Sequence, residues 1–191
     1  MEKKILIITG DMAESQEVMY PLHRLREEGY TVHVAAPTKK VIQTVVHDFE
    51  PGFDTFTEKF GYRVEADLAF SDVIPSQYEG AVIPGGRAPE HIRNDDSFKG
   101  IVKHFVESNL PLAFECHAAQ ALIPLGYLKG KRCAAFWSLA PDLRAAGATF
   151  VDQEVVVDGN FVTSRAWIDH PGFMKEFITL LKSESYASNT I

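Results

Sequence analysis

Two cysteines, Cys116 and Cys133, are all that this chain of 191 residues contains. That is too few for a disulfide framework, so a reducing cytoplasm is the expected compartment. No apolar run is long enough to span a bilayer, which excludes a membrane-spanning helix. The opening MEKKILIITGDM sets two lysines before only four aliphatic residues. That run is too short for the apolar region of a signal peptide and reads as a first strand. Long Lys/Arg runs are missing, and the formal net charge of −7 sets the surface against nucleic acid and anionic membrane as partners. The histidines His23, His33, His47, His91, His104, His117 and His170 are scattered with no pair at ligand spacing, so no metal is expected. GGRAPE lacks the spaced third glycine of a dinucleotide fingerprint, and GDMAES lacks phosphate-loop spacing, so no cofactor is expected either. Internal repeats, linkers and low-complexity segments are also missing.

What is present is ordinary globular material, 46% hydrophobic and 24% charged. The length fits a single domain, expected over residues 1–185 with a loose tail at 186–191. Short apolar runs alternate with amphipathic segments. KKILIITG reads as a strand; ESQEVMYPLHRLREEG (14–29) reads as a helix with Val18, Leu22 and Leu25 on one face and Gly29 as its stop. Pro21 predicts a late start or a bend there. YTVHVAAP is a second strand, and residues 41–65 read as irregular, with a loop at HDFEPGF and a possible hairpin within EKFGYRVE. YEGAVIPGG is a third strand, SFKGIVKHFVES a helix, LPLAFE a fourth strand and HAAQALIPLGYL a short helix. KRCAAF, ATFV, EVVVDGN and FVTSR read as short strands before a closing helix, HPGFMKEFITLLKS. The alternation implies an α/β fold with a mostly parallel sheet covered on both faces. Ligands in such sheets sit outside the carboxyl ends of strands. That selects Gly10-Asp11, Pro84-Gly85-Gly86-Arg87 and Glu115-Cys116-His117, all of which follow apolar runs.

PLAFECHAAQAL (111–122) carries the sharpest signal. A strand-to-helix turn that presents a nucleophile needs small neighbours, which Ala118 and Ala119 supply. A helix beginning there favours thiolate at Cys116, and His117 is a possible proton carrier. The amides of His117 and of the Gly85-Gly86 turn could bind an oxyanion, which makes Gly85, Gly86 and Arg87 the candidate substrate-binding residues. The plain alternative is a buried cysteine acting as a small hydrophobe beside an exposed histidine. Glu14 is either a first-turn residue that suits the helix dipole or a carboxyl sharing a proton with the Cys116 sulfur. Trp137, Trp167 and His170 are open between pocket lining and packing.

IPGGRAPE (83–90), the Cys-His strand end, LKGKRC (128–133) and VVVDGNFVTSR (155–165) together resemble the ThiJ/PfpI superfamily over nearly the whole chain. HDFEPGFDTFTEKFGYRVEADLAF and AWIDHPGF are similar to its plant tandem-domain glyoxalases, and PGGRAPE and VDGNFVTSR to its intracellular proteases. The resemblance implies a flavodoxin-like three-layer sandwich related to class I glutamine amidotransferases. It maps the reactive cysteine to Cys116, the adjacent histidine to His117 and the carboxylate after the first strand to Glu14. An acidic residue lent by a neighbouring subunit maps to Asp96, with Asp95 as the fallback. Three departures stand out: Glu115 where most relatives have an apolar residue, Ala118 where many have glycine, and Ser15 where the plant proteins pair a second acid with Glu14. Glu115 either raises the pKa of Cys116 or His117 or points away to bind elsewhere.

The leading expectation is glutathione-independent glyoxalase chemistry, methylglyoxal to lactate, or a related deglycase or hydrolase activity on small carbonyl compounds. The alternatives are a cysteine peptidase or amidase using Cys116, His117 and Asp96, and an oxidation-sensing stress protein without turnover. No cofactor is expected in any of them, and a homo-oligomer (dimer, trimer or hexamer) is.

Overall fold

The computed structural model describes residues 3–188. Its main sheet has seven strands in the order β10-β11-β7-β6-β1-β2-β5, with β1 at Lys4–Ile8, β2 at Thr31–Ala36, β5 at Leu68–Ala69, β6 at Gly80–Ile83, β7 at Leu112–Glu115, β10 at Val155–Asp158 and β11 at Phe161–Ser164. All neighbours run parallel except β10, which pairs antiparallel with β11 at one edge. The strands are apolar on both faces because both faces are covered. Ile5 and Ile7 of β1 join one core with Leu25, Phe173 and Phe177, while Leu6 and Ile8 join the other with Phe98, Phe105 and Leu143.

Helices α1 (Ser15–Glu27) and α6 (His170–Ser188) form the first cover. Helices α3 (Asp96–Glu107), α4 (Ala119–Leu122) and α5 (Ala140–Ala145) lie on the other face, and the short α2 (Ala88–Ile92) contributes Ile92 there. Helix α1 begins on schedule and holds Pro21 on its buried face beside Val18, Leu22 and Leu25. α6 runs through Ser188, past the expected start of the tail, and residues 189–191 lie outside the described residues. No helix among the described residues is long and apolar enough to cross a membrane.

Residues 41–65 depart from the irregular reading. They form one antiparallel hairpin, β3 (Val41–Asp48) against β4 (Thr57–Glu65), with a register shift between Gln43 and Val45. EKFGYRVE is therefore a single strand, not a hairpin of its own. An isolated parallel bridge between Glu14 and Val45 ties the hairpin to the start of α1. A third small sheet pairs β8 (Arg132–Cys133) with β9 (Thr149–Phe150).

The order places β1, β6 and β7 side by side, so Gly10, the Pro84-Gly86 turn and Cys116 meet at one edge. Phe105 is fully buried between α3 and this sheet. Phe105→Ala is expected to lower unfolding free energy by about 3–5 kcal/mol, read from urea denaturation, because the vacated volume cannot collapse.

Candidate active site

Cys116 sits where β7 ends, with φ of 55°, a left-handed backbone on a non-glycine residue. Such strain persists only where the surroundings enforce it. Enforcement comes from the Gly85-Gly86 turn. A β-carbon on Gly85 would stand 2.7 Å from the Cys116 Cβ and 2.7 Å from Glu17 Oε2. A β-carbon on Gly86 (φ 73°) would likewise run into backbone atoms of Met12, Ala13 and Glu14. Only glycine lets these backbones touch.

Cys116 is 2% exposed, and its sulfur stands 3.2 Å from Nδ1 of His117. Burial and the neighbouring His47 hold the His117 imidazole down at about 4, so it is neutral at physiological pH and able to accept a proton. Its ring stacks on Phe136 at 4.9 Å and meets Phe56 edge-on at 5.7 Å.

The carboxyl at the sulfur is that of Glu17, not Glu14. Glu17 is fully buried, lies beside the Cys116 side chain across the Gly85 backbone and accepts from Gly85 N–H at 2.7 Å. Glu14 is turned into its own helix, where Oε2 caps α1 by accepting from Glu17 N–H at 2.9 Å. The reason is helical geometry: residue 17 lies one turn on, on the stripe that packs against the sheet. Burial first, then Glu115 and Glu14, push the Glu17 carboxyl well up, which favours its acid form.

The expectation of a resting thiolate is also reversed. α4 is a single turn and gives little dipole, while burial and then the Glu17 and Glu115 carboxyls push the Cys116 thiol well up; the Gly86 N–H, donating to the sulfur, acts the other way. Cys133 is a plain core thiol, fully buried and pushed up to about 12, mainly by burial.

The remaining candidates divide. Gly86 offers its N–H to the sulfur, but the Gly85 N–H is taken by Glu17 and is not free for an oxyanion. Arg87 does not reach the sulfur; its guanidinium forks onto Glu58 of β4 at 2.8–3.2 Å, and Glu58 in turn holds His47 Nε2 at 2.9 Å. Asp95 caps α3 by accepting from the amides of Ser97 and Phe98. Asp96 is solvent-exposed, paired with Lys99 at 2.7 Å, and neither aspartate meets the cysteine of its own chain. Glu115 turns away from Cys116 toward α6, where it meets His170. At the mouth, Phe49 of the hairpin loop stacks on Phe136 and Trp167, at 6.3 and 6.0 Å, and Trp137 packs against Phe136. Glu17, His47, Phe49 and Phe56 are thus site residues that the sequence reading missed. The signal for Glu17 was an acidic residue on the apolar stripe of α1.

A model described as the DJ-1/PfpI family matches residues 3–180. A protein of Thermococcus kodakarensis named a deglycase is 42% identical over 94% of this chain and 99% of its own length. Arabidopsis thaliana protein DJ-1 homolog D is 37% identical over 94% of this chain, which spans 48% of the plant protein. The crystal structure of Drosophila melanogaster DJ-1beta superposes with a TM-score of 0.79 at 23% identity, over 95% of this chain and 91% of that one, and shows the shared fold.

Gly85→Ala tests the close approach. It is expected to slow Cys116 alkylation by iodoacetamide at least about tenfold with the far-UV circular dichroism unchanged, since overpacking of this size costs about 1–3 kcal/mol. An unchanged alkylation rate would show slack in the turn.

Proposed function

Because the chain belongs to the DJ-1/PfpI family and brings a thiol, a neutral imidazole and a carboxylic acid together in one buried elbow, we propose that it is a cysteine-dependent enzyme acting on small carbonyl compounds, a glutathione-independent glyoxalase or deglycase. The 3.2 Å contact between the Cys116 sulfur and His117 Nδ1 is the observation that carries this reading. In it, the sulfur adds to the aldehyde carbon of methylglyoxal while His117 takes the thiol proton and passes it to the carbonyl oxygen, giving a hemithioacetal. His117, neutral again, moves the hydrogen on that carbon to its neighbour through an enediol, and the hydroxyl proton passes to the neighbouring oxygen. The product is a lactoyl thioester, which water cleaves to lactate and free thiol. Glu17 acts as the acid beside the sulfur, and the amides of Gly86 and His117 face the oxygen that gains charge. Every step uses groups of the chain and water.

Burial favours small substrates over peptide chains, since a cysteine with 2% exposure has no room beside it for an extended backbone. The proposal includes a homo-oligomer, in which the exposed Asp96 of one copy is available to the site of another.

Purified protein is expected to convert methylglyoxal to lactate without glutathione, and Cys116→Ala to abolish the conversion; equal rates for the two would overturn the reading. His117→Ala is expected to lower kcat/KM by about 10²–10⁴-fold, the usual contribution of a positioned base. The base works in its neutral form and is lost as pH falls through about 4, so the acid limb of kcat/KM lies near pH 4, not near the ordinary histidine value of 6.5. Stopped-assay rates across pH 3–8 locate that limb.

A further inference from the structure

Behind the nucleophile, on the α1/α6 side of the sheet, lies a second polar cluster that the reaction above does not use. Glu115 ends β7 and is 1% exposed. Its two oxygens stand 3.2 and 3.1 Å from Nε2 of His170, the first residue of α6, and Ser164 Oγ donates to Oε2 at 3.4 Å. The His170 ring, itself 3% exposed, is stacked on Tyr20 of α1 at 4.9 Å. Two ionisable side chains therefore occupy a place where hydrocarbon would pack without desolvation cost.

The groups facing this pair are predominantly acidic. Glu14 and Glu17 face it from α1, and Asp169 faces it from the turn before α6, where Arg165 binds both Asp169 oxygens at 2.9–3.0 Å. Ser164 faces it from β11, and Cys116 is the next residue in the chain. His170 is the basic side chain bonded to Glu115, while the guanidinium of Arg165 is taken up by Asp169 and by Asp152.

We propose that Glu115 and His170 hold one proton between them, and that this shared proton sets the pH at which Cys116 becomes reactive. A hydrogen bond between a carboxyl and an imidazole nitrogen needs one proton, on either atom. The pair is net neutral with that proton on the carboxyl beside a neutral ring, or with both ring nitrogens protonated beside a carboxylate, and it becomes net negative when a neutral ring donates its Nε2–H to a carboxylate. Burial resists any form with net charge, pushing Glu115 up and His170 down. A carboxyl that shares its proton with an imidazole gives it up at higher pH than the same carboxyl alone. His170 therefore keeps a full negative charge away from the back of the sulfur over a wider pH range, where that charge would oppose the thiolate. Glu115 and His170 are positioning residues in this scheme, not groups that touch substrate. The inference rests on the reading that Cys116 is the reacting atom.

The test is the pH profile of Cys116 alkylation by iodoacetamide, followed by peptide-resolved mass spectrometry so that Cys133 is counted separately. His170→Gln keeps a hydrogen-bond donor near Nε2 but cannot hold or release the proton, and is expected to raise the midpoint by about one pH unit. Glu115→Gln removes the charge and is expected to lower the midpoint. In the double variant the effect of His170→Gln disappears, because no carboxyl remains for His170 to neutralise. Midpoints equal to wild type in both single variants, shifts in the same direction, or additive shifts would each overturn the proposal. Should His170→Gln not fold, the Glu115→Gln profile alone decides, and an unshifted midpoint there overturns it. Methylglyoxal turnover by wild type, measured in parallel, separates the two claims: no turnover with the expected midpoint pattern refutes the carbonyl reading alone, and turnover without that pattern refutes the shared proton alone.

Discussion

The site depends on two missing β-carbons. Gly85 and Gly86 let the turn after β6 press against the elbow after β7 and against the backbone leading into α1, leaving no space for a methyl group at either position. That contact holds Cys116 in a left-handed conformation, aims the Gly86 N–H at the sulfur and brings Glu17 onto the Gly85 amide. Strand order makes the approach possible, since β1, β6 and β7 are neighbours with parallel carboxyl ends. The glycines decide how closely those ends meet.

From there the chemistry follows from dryness. Burial holds the imidazole of His117 neutral, the carboxyl of Glu17 in its acid form and the thiol of Cys116 protonated. Each shift disfavours charge in a poorly solvated place. The resting site stores its protons on sulfur and carboxyl and leaves an unprotonated base between them and the mouth. Activation by transfer to that base suits such a site better than a standing thiolate does.

Much of this was legible in the sequence, for identifiable reasons. The continuous apolar runs of β1, β6 and β7 and the glycines after β6 marked a doubly covered parallel sheet and its ligand edge, because burial and backbone approach leave compositional traces. Glu17 was hidden by Glu14: two acids three residues apart share a helix face, and only packing decides which caps the helix and which reaches the sulfur. The hairpin was hidden because most of β4 is exposed or half-exposed, so it lacks an alternating pattern, and the register shift near Thr44 interrupts the pairing. Glu115 was recognisable as unusual, but its partner lies 55 residues along the chain, beyond any local pattern.

The hairpin has a consequence for access. Its loop lays Phe49 and Phe56 over His117 and Phe136, and its outer strand is pinned to the glycine turn by the Arg87–Glu58 fork. That fork is solvent-exposed at the arginine, so dissolved ions screen it while leaving the buried groups almost untouched. Ionic strength therefore acts on the roof of the site and proton concentration on its floor, which gives the solvent two separate handles on one sulfur.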